Sequence, residues 1–313
     1  MISIIVPCYN EEAILEEFLD ELETSTINLE YEFELILIDN NSSDSTWNIL
    51  SNCKKKFAFI KLIKFSNYFG KESAILAGLD HSSGKAAIIM DPDLEDPPSF
   101  IINLINKWKE GYEVVYTIRT SEDIPFIKKM LKKIFYKILI FSSATHKKIP
   151  NNSGDFRIID RKIVDLIKGM RERTRFFRGL INYVGFKQAG IFFERPFRKK
   201  GKSKSSLNFL VKYSFDSLFS FSNVPINLII KFGFFLLVFI IFFILFLLFQ
   251  KAFGKTVEGF TALILFVGLV SSFNIIAIGL VGEYVSRIYN EAKNRPNYII
   301  ENIIDKKINK TYN

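Results

Sequence analysis

Short apolar runs separated by stretches of helical character dominate the N-terminal part of the chain. Residues 2–6, 34–38, 59–63, 86–90 and 114–118 are rich in Ile and Val and too short for helices, so each predicts a buried strand. Helix start signals fall between them. Asn10 is placed to cap a helix with Glu11 and Glu12 in its first turn, and Ser43 or Asp44 to cap the next. Pro97-Pro98 opens a third helix, which Gly111 ends. Strands alternating with helices of this length predict an α/β domain with a mostly parallel sheet, whose ligands bind beyond the carboxyl ends of the strands. Polar residues follow three of the predicted strands directly: Tyr9-Asn10-Glu11, Asp39-Asn40-Asn41, and a carboxylate cluster beginning at Asp91.

The pattern changes in the C-terminal third. Residues 232–249 carry no charge, and residues 259–282 are interrupted only by mild polar side chains such as Ser271, Ser272 and Asn274. A bilayer core of about 30 Å needs about 20 helical residues, so both runs predict transmembrane helices. Lys212 and the basic stretch 195–204 precede the first span, Arg287, Lys293 and Arg295 follow the second, and the loop 250–258 holds only Lys251 and Lys255. The positive-inside bias therefore puts the α/β domain and both termini in the cytoplasm. No basic leader precedes residues 2–6, which are expected to be a strand and not a signal peptide. Residues 125–141 set Ile127, Met130, Leu131, Ile134 and Ile138 at helical spacing, with Lys128, Lys129, Lys132, Lys133 and Lys137 around them, predicting a basic interfacial helix. Residues 205–222 repeat the amphipathic pattern with Leu207, Leu210, Phe215, Leu218 and Phe219. The expected segments are a cytoplasmic domain (1–204), a juxtamembrane helix (205–224), spans at 226–250 and 259–282, and a cytoplasmic tail (283–313).

Charge narrows the partners. The net charge of +9 favours anionic ones, and the concentration of apolar residues in one third favours a phosphate-rich membrane surface over nucleic acid. Two cysteines, Cys8 and Cys53, are too few for a disulfide framework and fit a reducing compartment. His81 and His146 are too few for a histidine-based zinc site.

The candidate chemistry sits in Asp91-Pro92-Asp93-Leu94-Glu95-Asp96-Pro97-Pro98, immediately after an apolar run. Alternate residues of an extended chain share a face, so Asp91, Asp93 and Glu95 are expected to converge on one hard cation, Mg²⁺ or Mn²⁺. An acidic turn that opens the next helix is the other reading of the same residues. On the basic side, Arg195, Arg198, Lys199, Lys200, Lys202 and Lys204 are interspersed with Gly201 and Ser203. Backbone and hydroxyl donors there can approach an anion, which predicts a phosphate loop beside the membrane.

Val6-Pro7-Cys8-Tyr9-Asn10-Glu11-Glu12, the run Ile38-Asp39-Asn40-Asn41-Ser42-Ser43-Asp44-Ser45-Thr46 and the Asp91 cluster resemble the signatures of family 2 glycosyltransferases with a GT-A fold. Gly154-Asp155-Phe156-Arg157, the stretch from Arg195 to Lys204, Gly282-Glu283-Tyr284 and Arg295-Pro296 narrow the resemblance. They are similar to polyprenyl-phosphate glycosyltransferases, a branch that includes dolichol-phosphate mannose synthases and two-span bacterial undecaprenyl-phosphate glucosyltransferases. The resemblance implies a GT-A domain, Rossmann-like with a mostly parallel sheet, followed by interfacial helices and a two-helix hairpin in a bacterial inner membrane. It implies that Pro7, Tyr9, Asn10, Glu11, Asp39, Lys71, Asp91 and Asp93 bind the nucleotide sugar, and that Asp91, Asp93 and Glu95 hold the metal. Arg119, Arg198, Ser203 and Lys204 would grip the acceptor phosphate, and Asp155, Asp93 and Arg157 would form the catalytic group. Asp155 matches the position proposed as base in relatives, and it is expected here to orient the acceptor or to balance Arg157. Asn40 and Asn41 stand where a second Asp and a Gly are usual, Pro92 replaces a small residue, and Glu95 stands where Gln is typical.

The implied reaction moves a sugar with inversion from a nucleotide-diphosphate sugar, UDP-glucose-like or GDP-mannose-like, to polyprenyl phosphate in the lipid bilayer, by an enzyme that can form homo-oligomers. A processive polysaccharide synthase is the nearest rival, but the Gln-x-x-Arg-Trp motif of those enzymes is absent. A non-catalytic nucleotide-binding scaffold would bind without turnover. A transporter would need more helices than two to enclose a path.

Overall fold

The computed structural model describes residues 1–53, 59–120, 153–173, 175–193, 224–253 and 259–305. Strands β1 (Ile2–Cys8), β2 (Phe33–Asp39), β3 (Phe59–Phe65), β4 (Ala86–Ile89), β5 (Val114–Arg119), β6 (Ser153–Asp160), β7 (Gln188–Phe193) and β8 (Ile300–Asp305) form one sheet. Their spatial order is β7-β5-β6-β4-β1-β2-β3-β8. β3, β2, β1 and β4 run parallel, as do β5 and β7. β6 lies antiparallel between β4 and β5, and β8 is antiparallel on the β3 edge. Every residue of β1 is buried, the state in which a strand covered on both faces has no use for alternation. This mostly parallel α/β sheet is the architecture expected of a GT-A domain.

Helices cover both faces. On one side α1 (Leu15–Ile27), α2 (Thr46–Asn52) and α4 (Ile101–Lys109) bury Phe18, Leu22, Leu50, Leu104 and Ile105 against the sheet. On the other, α3 (Lys71–Asp80), α5 (Arg161–Gly169) and α6 (Phe177–Val184) bury Ala74, Leu79, Ile163, Ile167 and Ile181. Asn10 does not cap α1, which begins at Leu15. Its backbone is left-handed, with φ of 52°, and its side chain is spent on another loop. Ser45, and not Ser43 or Asp44, holds the capping position of α2, with Asp44 one residue further out, its Oδ1 accepting from the Thr46 N–H at 3.0 Å. Pro98–Phe100 forms a 3₁₀ turn that runs into α4.

Two long helices follow, α7 (Val224–Ala252) and α8 (Phe260–Ala292), both long and apolar enough to cross a membrane. They pair through Phe232 on Phe273 and Phe243 on Phe266, with ring centroids 5.4 and 6.2 Å apart. α8 outruns the expected span: from Glu283 onward it is a charged stalk, braced by an Arg287–Glu283 ion pair of 2.9 Å. The chain then returns to the sheet. Residues 300–305, expected in a separate cytoplasmic tail, instead form β8 and pair with Phe65 through Lys61. An edge strand half open to water needs no continuous apolar run, which is why Glu301, Asn302 and Asp305 hid it. The expected interfacial helices at 125–141 and 205–223 lie outside the described residues.

The position of α3 depends on the absence of a side chain at Gly78. A Cβ there would collide with Ile5 and crowd Ile38, so α3 lies unusually close to β1 and β2. Gly78→Ala should therefore destabilise the domain by about 1–3 kcal/mol, the usual cost of overpacking a core. A lowered thermal midpoint in detergent would register this; an unchanged midpoint would mean that the helix shifts freely.

Candidate active site

The polar strand ends meet at one edge of the sheet. The carboxyl ends of β1, β2, β4 and β5 deliver Tyr9, Asp39, Asp91 and Arg119. Because β6 is antiparallel, its amino end lies at the same edge and brings Asp155 beside them. Lys71 comes from the first residue of α3, which starts there after Gly70 with φ of 88°.

On the β1–β2 side, the two strand-end loops are joined by side chains. Asn10 Oδ1 accepts from the Ser43 N–H at 2.8 Å, the Asn10 N–H donates to Ser42 Oγ at 2.9 Å, and the Glu11 N–H donates to Thr46 Oγ1 at 2.8 Å. Asn40 Oδ1 accepts from the Phe69 N–H at 2.9 Å and ties in the β3–α3 loop. Asn41 is left-handed with φ of 59°, a conformation that Asn tolerates, so the Gly usual there is not required. Asp39 is fully buried, with one oxygen accepting from the Ser42 N–H at 3.2 Å and the other without a partner. Burial pushes its carboxyl up, with the Ser42 hydrogen bonds opposing. A desolvated, orphaned acceptor is costly and suits a ligand N–H. The Tyr9 and Tyr68 rings stand 4.6 Å apart beside it, with Tyr68 half exposed. Pro7 is buried within β1, opposite Ile38.

Charge is concentrated on the β4–β6 side. Lys71 Nζ lies 2.7 Å from Asp91 Oδ2 and 2.8 Å from Asp155 Oδ2, bridging the two carboxylates. Arg178 Nε donates to Asp155 Oδ1 at 2.7 Å. Burial alone would raise Asp155, but the Arg178 guanidinium and then the Lys71 ammonium hold it well below the usual carboxylate range. Asp91 is pushed up by burial against the pull of Lys71, with Asp155 and Asp93 adding repulsion. Lys71 keeps its proton: the two carboxylates outweigh its desolvation and raise it. Arg157 is buried and donates to the backbone oxygens of Asp155 and Gly154, bracing β6, and its charge adds to the pull that keeps Asp155 low. Arg161 likewise turns to the Gly84 carbonyl and Asp165.

The acidic segment is a turn and does not continue the strand, which corrects the expected three-carboxylate alignment. Leu94 is left-handed, with φ of 57°, and buries its side chain in the core, while Asp93 Oδ1 accepts from the Glu95 N–H at 3.1 Å. Alternation therefore fails after Asp93. No group of three or more acidic, His or Cys side chains forms a metal cage among the described residues. Asp91 and Asp93 still suit a cation that takes its remaining ligands from phosphate and water, the way Mg²⁺ usually binds. Asp155 and Asp93 each add to the repulsion felt by the Asp91 carboxyl, which Lys71 opposes. Asp96, 1 % exposed, is the most buried carboxyl of the turn; burial pushes it up to about 7 against Arg119, whose guanidinium is 3.7 Å away. Arg119 Nε is buried without a partner, and the same guanidinium stands close to Gly154. Arg198, Ser203 and Lys204 lie outside the described residues.

Arg178 and Glu72 belong to this site although nothing local in the sequence singled them out. Glu72, beside Lys71 on α3, accepts from the Phe177 N–H at 3.2 Å and so holds the start of α6, which carries Arg178. Burial, then the charge of Asp155, pushes Glu72 up to about 7.

Comparisons with known proteins bear on the family of the chain. The family described as Glycosyl transferase family 2 matches residues 3–167. Over 307 residues the chain is 38% identical to a Bacillus subtilis (strain 168) protein named "Uncharacterized glycosyltransferase YkcC", covering 96% of this chain and 93% of that one. It is 33% identical to the bactoprenol glucosyl transferase of Shigella phage SfV, covering 96% and 98% of the two chains. Identity is also 33% to the prophage bactoprenol glucosyl transferase homolog of Escherichia coli (strain K12), with coverage of 96% and 99%. Among solved structures, glucosyl-3-phosphoglycerate synthase from Mycobacterium tuberculosis superposes with a TM-score of 0.48 and 18% identity, over 69% of this chain and 75% of that one. The family match over more than half of the chain, joined to kinship along nearly all of it, makes this protein a member of glycosyl transferase family 2.

Proposed function

We propose that the protein is an integral-membrane enzyme that transfers a sugar from a nucleotide-diphosphate sugar to polyprenyl phosphate, giving a lipid-phosphate-linked sugar. The observation that carries this reading is the crevice itself. It gathers Asp39, Asp91, Lys71 and Asp155 at one sheet edge, in a chain whose two apolar helices are followed by a return to the same sheet. Likeness to bactoprenol glucosyl transferases over nearly the full length supports the lipid acceptor. The return of β8 to β3 supports a topology with both flanking segments on one face of the membrane, and the basic residues beside the spans favour the cytoplasmic face.

In this reading Asp39 accepts a hydrogen bond from the nucleobase, with Tyr9, Asn10 and Glu11 shaping the pocket around it. Asp91 and Asp93 would hold Mg²⁺ or Mn²⁺, which when bound supplies positive charge beside the departing diphosphate. Arg119, with Arg198, Ser203 and Lys204, grips the acceptor phosphate. An oxygen of that phosphate forms a bond to the anomeric carbon as the bond to the diphosphate oxygen breaks, and the electron pair leaves with the diphosphate. A phosphate monoester is mostly dianionic at neutral pH, with a second pKa of about 6, so no proton has to be removed. Asp155, doubly paired and held ionised, orients cations at the acceptor side without serving as base.

Three outcomes test this reading. Asp93→Asn should lower turnover at least about a hundredfold, the scale of losing one transition-state stabiliser, and chelation of the wild type should do the same. Full activity in excess chelator contradicts the metal assignment. With labelled UDP- and GDP-sugars, membranes should label extractable lipid from polyprenyl phosphate and hardly at all from free polyprenol at equal surface density. Comparable rates for the two acceptors would overturn the base-free reaction.

The third outcome concerns Arg178. Arg178→Ala removes the strongest of the cations that hold Asp155 down, so its carboxyl should rise toward the ordinary range. Dividing the variant's rate by the wild type's cancels the titration of the acceptor phosphate. That ratio should fall as the pH drops below about 5, where only the variant begins to protonate Asp155, and Arg178→Lys should restore much of it. A ratio constant with pH would exclude Arg178 as the counter-cation.

A further inference from the structure

The stalk of α8 does not simply hang beside the catalytic domain. Glu291, one residue before the end of the helix, accepts from the Arg173 N–H at 2.8 Å through Oε1. Asn297 Nδ2 donates to the Arg171 carbonyl at 3.5 Å. Arg171 itself grips Asp80 at the end of α3 with two bonds of 2.8 and 3.1 Å, and the Tyr298 hydroxyl donates to the same Asp80 at 2.6 Å. Tyr298 also stacks on Phe65 of β3, centroids 5.2 Å apart and planes 13° from parallel. These contacts bind one segment, the connection between α5 and α6, to the membrane helix on one side and to α3 on the other.

The same segment leads straight into the charged cluster. Phe177, at the start of α6, is held by Glu72, and Arg178 beside it donates to Asp155. α3 carries Lys71 at its first residue and Asp80 at its last. α3, which places Lys71 on Asp155, is tied at its far end to Arg171 and Tyr298, and α6, which places Arg178 there, is tied just ahead of its start through Arg173 to Glu291 of α8. From Glu283 to Ala292 the stalk continues for roughly 15 Å at 1.5 Å per residue, a rigid spacer between the apolar span and this anchor.

We infer that the α5–α6 connection is a latch through which the α8 stalk holds the Asp91–Lys71–Asp155 cluster at a fixed height and orientation above the bilayer, with Glu291 and Tyr298 as positioning residues. The inference rests on the proposed lipid-phosphate acceptor: a phosphate tethered at the membrane surface cannot move to meet a misplaced site, whereas one carried in solution can. Loss of the latch should then penalise only the tethered acceptor.

The test uses the full chain in liposomes with UDP-glucose and two acceptors, undecaprenyl phosphate in the bilayer and water-soluble geranyl phosphate. Glu291→Ala and Tyr298→Phe should each slow transfer to undecaprenyl phosphate by about ten- to a hundredfold, the scale of a misplacement near 1 Å, and leave transfer to geranyl phosphate within about twofold. Glu291→Gln keeps a carbonyl acceptor for the Arg173 N–H and should stay near wild type. The two damaging substitutions lie on opposite sides of the latch, so a folding failure at one leaves the other informative. Equal losses on both acceptors, or no loss on either, would overturn the latch. A wild type that glycosylates neither acceptor, with UDP-glucose or with any other UDP- or GDP-sugar, would instead overturn the functional reading beneath it.

Discussion

Carboxylates that approach one another in a desolvated crevice repel strongly enough that one of them would ordinarily give up its charge. Asp91 and Asp155 escape this because Lys71 donates to both at hydrogen-bond distance. The rest of the crevice follows from that contact. α3 must end its approach to the sheet with Lys71 at the right edge, which is why Gly78 lets it lie so close to Ile5 and Ile38. α6 must present Arg178 from the other side, which is why Glu72 is spent on holding its first residue.

The charge arrangement also separates roles that look alike in one dimension. Asp155 has two cationic partners and stays ionised, fit for orientation and a poor proton acceptor. Asp39 is held by Ser42 while its Oδ2 has no partner, an arrangement that waits for a donor from outside the protein. Asp96 is sealed away from water with Arg119 as its cation, and keeps its proton up to about 7. Three aspartates around one crevice thus have three distinct electrostatic states, set by what faces each one.

The insertion of one antiparallel strand makes this possible. A purely parallel sheet brings only carboxyl ends to the ligand edge. β6, reversed between β4 and β5, brings an amino end there and with it Asp155. The second reversed strand, β8, serves a different purpose. It closes the sheet on the β3 side and ties the end of the membrane helix back to the catalytic domain.

Much of this protein is legible in its sequence because it depends on local pattern. Five buried strands announce themselves as runs of Ile and Val, and the two apolar helices follow from length and composition alone, since hydrophobic burial is read by periodicity. The polar residues at the strand ends could be placed at one crevice before any coordinates, because parallel topology puts those ends together. At Leu94 a left-handed residue with a buried side chain ends the alternation that would set Glu95 beside Asp91 and Asp93, and no local pattern in the sequence marks it. Arg178, Glu72 and the strand β8 were invisible for a different reason. Arg178 lies 23 residues from Asp155, and Tyr298 lies 218 residues from Asp80. Contacts of that separation leave no periodic trace in the chain; they exist only because packing brings distant segments to one place, and packing is a property of the whole fold.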